Sequence, residues 1–169
     1  MERITAAVAP LIAVPTTAGP GSEVGRATVI VMNDGRKRAI VSPHLVPRVA
    51  ICDPELTITL PPQLTAGTGM DAISHCVETF LSPAVNPPAD AIALDGLSRG
   101  VSNIERAFSQ GADREARWQM MMASLEGGLA FQKGLGAVHA MSHPLGALPG
   151  LTVHHGTANA VLLPVVLRR

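Results

Sequence analysis

Two short stretches of the 169-residue chain carry side chains that could bind a metal ion. His139 and His143 are four residues apart in one stretch, and Asp71 and His75 have the same spacing in the other. Residues four apart on a helix lie on one face, one turn from each other. The spacing therefore predicts two helices that each present a pair of candidate ligands, and the two helices must face each other for the pairs to meet.

A third segment offers one more imidazole. His154 and His155 follow a loop that contains Pro149 and Gly150, and from their position alone either histidine could complete the set. One carboxylate and three imidazoles suit a divalent ion that keeps an open coordination position. Such an ion acts as a Lewis acid on an alcohol or carbonyl oxygen.

Two further side chains stand close to the candidate ligands. His143 lies one turn beyond His139 on the same helix face, which places it to relay a proton. Glu78 has the composition of a ligand but lies about a turn beyond His75, and we interpret it as structural.

The composition excludes several classes of function. The net charge is zero, which argues against nucleic-acid or anionic-membrane partners, and aromatic residues are only 2% of the chain, which argues against base stacking. No apolar run reaches the length of a transmembrane helix. The two cysteines, Cys52 and Cys76, form no disulfide framework and predict reduced thiols and a cytoplasmic protein.

The hydrophobic pattern changes near residues 55–62. Before this point we expect strands at 11–14 and 48–52, a hairpin at 27–41 turning at Asn33-Asp34-Gly35, and a Gly/Thr/Ser-rich loop at 16–25 that could hold phosphate or ribose. Beyond it the period is helical, with five helices expected, the second opened by Asn86-Pro87-Pro88. Gly127-Gly128 either weakens the third helix or lets another element approach closely. Because so few strands make a poor sheet, we expect the chain to be an internal segment of a longer protein.

Five motifs together carry a resemblance to a known family. They are AVPTTAGPGSEV (13–24), DPELT (53–57), LTAGTGMDAISHCVETFLS (64–82), GLGAVHAMSHPLGA (134–147) and HGTANAVLLPVVLR (155–168). In this order they closely resemble the iron-containing (group III) alcohol dehydrogenases, over essentially the whole chain.

The resemblance implies an α+β fold of dehydroquinate synthase-like architecture. Residues 1–57 are expected to be a β-rich remnant of a nucleotide-binding α/β domain, and residues 58–169 a helical metal-binding domain that is incomplete at its C-terminus. The implied reaction interconverts an alcohol and an aldehyde or ketone by metal-dependent hydride transfer to or from NAD or NADP.

The resemblance also assigns roles to individual positions. His155 is preferred over His154 because it directly precedes Gly156, as the family's ligand does. The resemblance allows a homodimer. It does not decide between Fe²⁺ and Zn²⁺ or between NAD and NADP, and it does not identify the small-molecule substrate. The matching positions are Asp71, His75, His139 and His155 for the metal, His143 near the nicotinamide, and Thr16, Thr17 and Lys37 for the cofactor.

Some features depart from the family pattern. The family's glycine-rich pyrophosphate loop precedes the 16–25 loop, whereas only residues 1–10 stand there in this chain, and Pro20 replaces the usual threonine. An alternative is therefore a truncated, metal-binding but catalytically inactive fragment that cannot hold NAD. A maleylacetate reductase-like enzyme is less favoured, because those relatives lack the full metal set.

Overall fold

The protein has an α+β architecture in which short strands precede a set of packed helices. The computed structural model describes residues 4–33, 37–146, 148 and 153–168. Within these residues, four strands lie between Ile12 and Ala50, and five α-helices follow from Pro62 onwards. The fold class expected from the sequence is therefore confirmed.

The strands form two separate pairs. Strand β1 (Ile12–Ala13) pairs in parallel with β4 (Val49–Ala50), with Ile12 opposite Val49. Strands β2 (Ala27–Val31) and β3 (Lys37–Val41) pair antiparallel, with Ala27 opposite Val41. The predicted hairpin at 27–41 is confirmed, although residues 34–36 of its turn lie outside the described part.

Two of the helices begin directly after a residue whose side chain caps them. Asn86 accepts a hydrogen bond from the Ala89 amide at 3.3 Å, and Asp113 accepts one from the Ala116 amide at 3.0 Å. The sequence pattern predicts the fifth helix over 157–167, and the structure begins it two residues earlier, at His155. The helices are α1 (Pro62–Leu81), α2 (Pro87–Ser109), α3 (Arg114–Ala130), α4 (Ala137–Leu145) and α5 (His155–Val166).

Helix α1 is the centre of the helical part and contacts each of the other four helices. Small side chains make this possible: Ala72, Cys76 and Ala123 are fully buried. A Cβ on Gly100 would lie 2.8 Å from Ile73 Cγ1, so α2 lies close against α1. The site residues of α1 are therefore held in the most densely surrounded helix of the fold.

The 16–25 loop packs onto the helices. Ala18 joins the buried cluster around Met120 and Met121 of α3. Gly21 adopts a left-handed conformation (φ 61°) and lies against Gly128. A Cβ added to Gly128 would lie 2.4 Å from the Gly21 carbonyl oxygen. Helix α3 continues past its two glycines, so they do not end the helix. They let the 16–25 loop approach closely, which is the second of the two roles predicted from the sequence.

Two expectations from the composition concern the cysteines and membrane-spanning helices. Cys52 is half-buried and Cys76 buried, and both are free thiols. None of the described helices combines the length and apolar character needed to cross a membrane. The division of the chain at residues 57 and 58 stays a prediction, and the loop described above packs across it.

Candidate metal centre

Three helices bring the candidate ligands together. Helix α1 carries Asp71, and α5 begins at His155. Beside these residues the two backbones touch: a Cβ on Gly156 would lie only 1.8 Å from the Gly67 carbonyl oxygen. The two glycines therefore set the distance between α1 and α5, and with it the distance between Asp71 and His155.

The spacing of three ligand atoms fits one small cation. Asp71 Oδ1 lies 3.4 Å from His139 Nε2 and 3.5 Å from His155 Nε2, and one ligand atom from each residue lies within 4.8 Å of the others. Ligands at about 2.1 Å from a tetrahedral ion are roughly 3.4 Å apart. The carboxylate and imidazole donors match that requirement in type as well as in distance.

His75 stands slightly apart from this group. Its Nε2 lies 3.9 Å from Asp71 Oδ1, and it is outside the set of three that lie within 4.8 Å of one another. Its ring stacks on that of His139, with centroids 4.5 Å apart and planes 18° from parallel. The structure thus places His75 against the site without bringing it to the same spacing as the other predicted ligands.

The buried charges of the site are strongly coupled. Burial lowers the pKa of His75 to about 4, and the neighbouring histidines add to this effect. Burial also acts to lower the pKa of His139, but hydrogen bonds to Asp71 and Glu78 outweigh it and raise that pKa to about 9. Burial acts to raise the pKa of Asp71, whereas His139 and the other imidazoles hold it below its ordinary value. The imidazoles around Asp71 therefore favour the ionised form of its carboxyl group.

Glu78 lies directly behind His139. Its carboxylate accepts hydrogen bonds from the Val138 amide at 2.6 Å and the His139 amide at 3.2 Å, and Oε2 lies 2.5 Å from His139 Nδ1. Burial acts to raise the pKa of Glu78, but these hydrogen bonds hold it below its ordinary value. The structural interpretation from sequence is thus incomplete, because Glu78 contacts a predicted ligand. The signal was its place seven residues after Asp71, on the same helix face.

Asn159 is a site residue that the sequence reasoning missed. Its fully buried amide nitrogen lies 2.7 Å from Asp71 Oδ1, 3.2 Å from His139 Nε2 and 3.3 Å from His155 Nε2. An amide nitrogen has two hydrogens, so it can donate to two of these three atoms at once. Its position four residues after His155, on the same face of α5, was the available signal.

Two further histidines, His143 and His154, lie near the candidate ligands in sequence and are both exposed. The exposed His143 ring lies 5.7 Å from that of His139 and 5.0 Å from that of His155. His154 precedes α5, is exposed, and lies with Nδ1 3.5 Å from Thr157 Oγ1, so it is not part of the group of three.

A cleft of about 500 Å³ reaches the candidate ligand His155. Val29 and Ala39 of the hairpin form one side, and His143 and His155 form part of the other. Two apolar side chains of the hairpin therefore lie across this cleft from His143 and His155.

The predicted cofactor residues lie outside the metal group. Thr16 is exposed and Thr17 half-buried in the 16–25 loop, which touches α1 where a Cβ on Gly19 would lie 2.6 Å from Thr68 Cβ. Lys37 begins β3, and its side chain lies outside the described part of the structure. Their cofactor role stays a prediction.

Comparison with known proteins places this geometry in a family. Residues 65–169 match the Fe-containing alcohol dehydrogenase family, C-terminal, and residues 2–54 match iron-containing alcohol dehydrogenase. The 4-hydroxybutyrate dehydrogenase of Cupriavidus necator is 64% identical over 169 residues, covering 98% of this chain and 44% of that protein. The 1,3-propanediol dehydrogenase of Klebsiella pneumoniae is 45% identical over 170 residues, covering 99% of this chain and 43% of that protein.

Solved structures show the same relationship. The sulfoacetaldehyde reductase from Bifidobacterium kashiwanohense in complex with NAD⁺ superposes with a TM-score of 0.92 at 38% identity, covering 97% of this chain and 44% of that chain. A 1,3-propanediol oxidoreductase superposes with a TM-score of 0.89 at 46% identity, covering 94% and 42%. The chain thus spans less than half the length of these relatives. The family match extends over most of its residues, and the chain belongs to the iron-containing alcohol dehydrogenase family.

Proposed function

We propose that this chain contributes to a metal-dependent alcohol dehydrogenase that interconverts an alcohol and an aldehyde or ketone, with hydride transfer to or from NAD or NADP. The observation that carries the proposal is the group formed by the buried Asp71 and His139 and the half-buried His155, whose ligand atoms have the spacing of a tetrahedral ion. In this proposal His75 is the fourth ligand, reached by a small movement of its ring towards Asp71.

The protein would bind Fe²⁺ or Zn²⁺, since one carboxylate and three imidazoles suit both ions. When bound, the ion supplies Lewis acidity to a substrate oxygen. The side chains do the rest: Asp71 balances the positive charge, and Asn159 holds the Asp71 carboxylate by a hydrogen bond of 2.7 Å. The bulk of the ligand set is buried, so water has little access from the helical side.

His143 is the proposed proton carrier. Its ring is exposed and lies 5.0 Å from the His155 ring at the mouth of the cleft. An imidazole in that position can exchange a proton between the bound substrate and solvent, because its ordinary pKa lies near neutrality. We propose that it holds the proton released when the alcohol is oxidised and returns it in the reverse reaction.

The cleft indicates the kind of substrate. Its Val29 and Ala39 wall is apolar and suits an aliphatic alcohol or aldehyde, which we propose to be a short one. Relatives named for 4-hydroxybutyrate and 1,3-propanediol act, by their names, on molecules of that size. We therefore propose a short-chain primary alcohol and its aldehyde as the substrate pair.

The nicotinamide cofactor is proposed to lie on the strand side of the cleft. Thr16, Thr17 and Lys37 are the proposed contacts, and residues 1–57 are proposed to belong to the cofactor domain, with residues 58–169 forming the metal-binding domain. A solved relative is described in complex with NAD⁺, which supports a cofactor of this class. The close packing of the 16–25 loop on α1 and α3 supports a fixed distance between cofactor and metal.

Metal content of the purified chain tests the proposal directly. We expect about one ion per chain after anaerobic loading with iron or zinc, and none in His139→Ala. The matched control is His44→Ala, since His44 lies in the turn Pro43–Leu45, away from the ligand group. An absence of bound metal in the wild type, or equal binding by His139→Ala, would contradict the metal site. NADH fluorescence and aldehyde reduction by the loaded chain then test the rest.

A further inference from the structure

The Glu78 side chain joins helix α1 to the beginning of helix α4. It is 4% exposed, and its two oxygens accept from three N–H groups: the Val138 amide, the His139 amide and His139 Nδ1. Val138 and His139 lie 60 and 61 positions after Glu78 in the sequence. A buried carboxylate with three donors from one helix end is a built arrangement rather than a chance contact.

Two of the three hydrogen bonds cap α4. The first amides of a helix have no intrahelical partner, and a residue such as Ser or Asp usually supplies an acceptor from the N-cap position. Here the N-cap is Gly136, which has no side chain. Glu78 supplies the acceptor from another helix, and its negative charge also suits the positive end of the α4 dipole.

The missing side chain of Gly136 is part of the arrangement. A Cβ at this position would lie 2.8 Å from Glu78 Oε1, too close for the carboxylate to stay where it is. The glycine therefore admits Glu78 to the end of α4. Any larger residue at position 136 would push the carboxylate away from the helix.

The third hydrogen bond fixes the chemistry of His139. Because an ionised carboxylate only accepts hydrogen bonds, the proton of the imidazole must be on Nδ1, which lies 2.5 Å from Glu78 Oε2. The opposite nitrogen, Nε2, faces Asp71 Oδ1 at 3.4 Å. Nε2 is then the atom that gives up its proton when a metal ion binds and offers the ion a lone pair, while the ring is held from behind.

We propose that Glu78 is the positioning residue of the metal centre, which caps α4 and presents His139 Nε2 to the ion through one carboxylate. The proposal rests on the metal site of the proposed function and adds to it a residue that is not a ligand. Glu78→Gln isolates the role, because the carboxamide keeps the shape but has one acceptor oxygen instead of two. Its single oxygen loses the Val138 amide if it takes the place of Oε2, and loses both contacts to His139 if it takes the place of Oε1.

The first readout is the proton on His139 Nδ1, followed by ¹H–¹⁵N NMR of the full chain. We expect a slowly exchanging, strongly downfield imidazole proton, assigned by its loss in His139→Gln. In Glu78→Gln this signal should move upfield or exchange with solvent. A purely structural loss of a helix cap would leave the signal in place.

The second readout is zinc affinity in a chelator competition at mildly alkaline pH, where protons compete little with the metal. We expect Glu78→Gln to bind zinc about 10–100-fold more weakly than the wild type. The matched control is Asn86→Ala, which removes the cap of α2 and should lower stability without changing either readout. If Glu78→Gln does not fold, Gly136→Ala replaces it, since it displaces the same carboxylate and predicts the same two changes.

The possible results distinguish the positioning role of Glu78 from the metal site itself. If the wild type binds zinc and the Glu78 variant keeps both the proton signal and the zinc affinity, the positioning role is wrong and the metal site still holds. Equal loss of affinity in Asn86→Ala also overturns it, because general destabilisation would then explain the effect. A wild type that binds no zinc overturns the proposed function, and this inference with it.

Discussion

Replacing Gly156 by alanine should damage the metal centre although it replaces none of the candidate ligands. The new Cβ would lie 1.8 Å from the Gly67 carbonyl oxygen and 2.6 Å from its carbonyl carbon. Both atoms belong to the backbone of α1, so they cannot rotate away as a side chain would. Helices α1 and α5 must separate instead.

The required movement can be estimated from the contact distances. An ordinary contact needs about 3.4 Å, so opening the 1.8 Å contact moves the helices apart by about 1.6 Å. A shift of this size along the line from Asp71 Oδ1 to His155 Nε2 would stretch their 3.5 Å separation to about 5 Å. Two ligands of one ion at about 2.1 Å each are at most about 4.2 Å apart. One ligand would therefore be lost, and overpacking should cost about 3 kcal/mol of stability.

Gly67→Ala is the matched control, because it lies on the other side of the same contact. Its Cβ would meet the ring of His154 at 2.6 Å, and this exposed side chain can move. We expect near-wild-type stability, helped by the better helix propensity of alanine. Urea unfolding measures the stability of both variants, and equilibrium dialysis against zinc measures their metal affinity.

The comparison can refute the reasoning in two ways. Wild-type stability and zinc affinity in Gly156→Ala would show that the backbone contact does not control the spacing of the ligands. Equal damage in Gly67→Ala would show that loss of any glycine at the crossing is enough, and that the distinction between backbone and side-chain neighbours is wrong.

Two further substitutions test other parts of the structure. Burial, and then the charge of Asp95, raises the pKa of Glu126 from 4.5 to about 7, so its contribution to stability is full below pH 4.5 and is lost as the pH rises through 7. Urea unfolding should show the wild type losing stability over this range by about 2 kcal/mol relative to Glu126→Gln, and parallel pH profiles would contradict this. Gly128→Ala would place a Cβ 2.4 Å from the Gly21 carbonyl oxygen, so we expect faster amide hydrogen exchange in residues 16–25 and about 1–3 kcal/mol less stability. Unchanged exchange in that loop would show that Gly128 does not hold it.

Features coded by neighbouring residues could be predicted from the sequence. The start of α2 follows from Asn86, whose side chain caps the helix three residues on, and the 27–41 hairpin follows from two β-branched runs around a turn. Candidate ligands with i,i+4 spacing could be found in the same way. Each of these signals lies within a single turn or hairpin.

Features that depend on distant residues could not be predicted in this way. Nothing near Glu78 in the sequence shows that its carboxylate meets the end of a helix 60 residues later. The side-chain position of His75, 3.9 Å from Asp71 rather than within the tighter group, depends on packing against Phe131 and His139. The role of Gly128 depends on its contact with the Gly21 backbone, which is distant in the sequence.

The cap supplied by Glu78 has a consequence for the order in which the protein gains structure. Helix α4 has nine residues and contains Pro144, whereas isolated helices shorter than about 12–15 residues are marginal in water. Its first amides depend on a carboxylate from α1, so α4 can persist only once α1 is in place. His139 thus takes its place only after α1 has formed, and in the proposed metal site the local opening of α4 is the event that would release the ion.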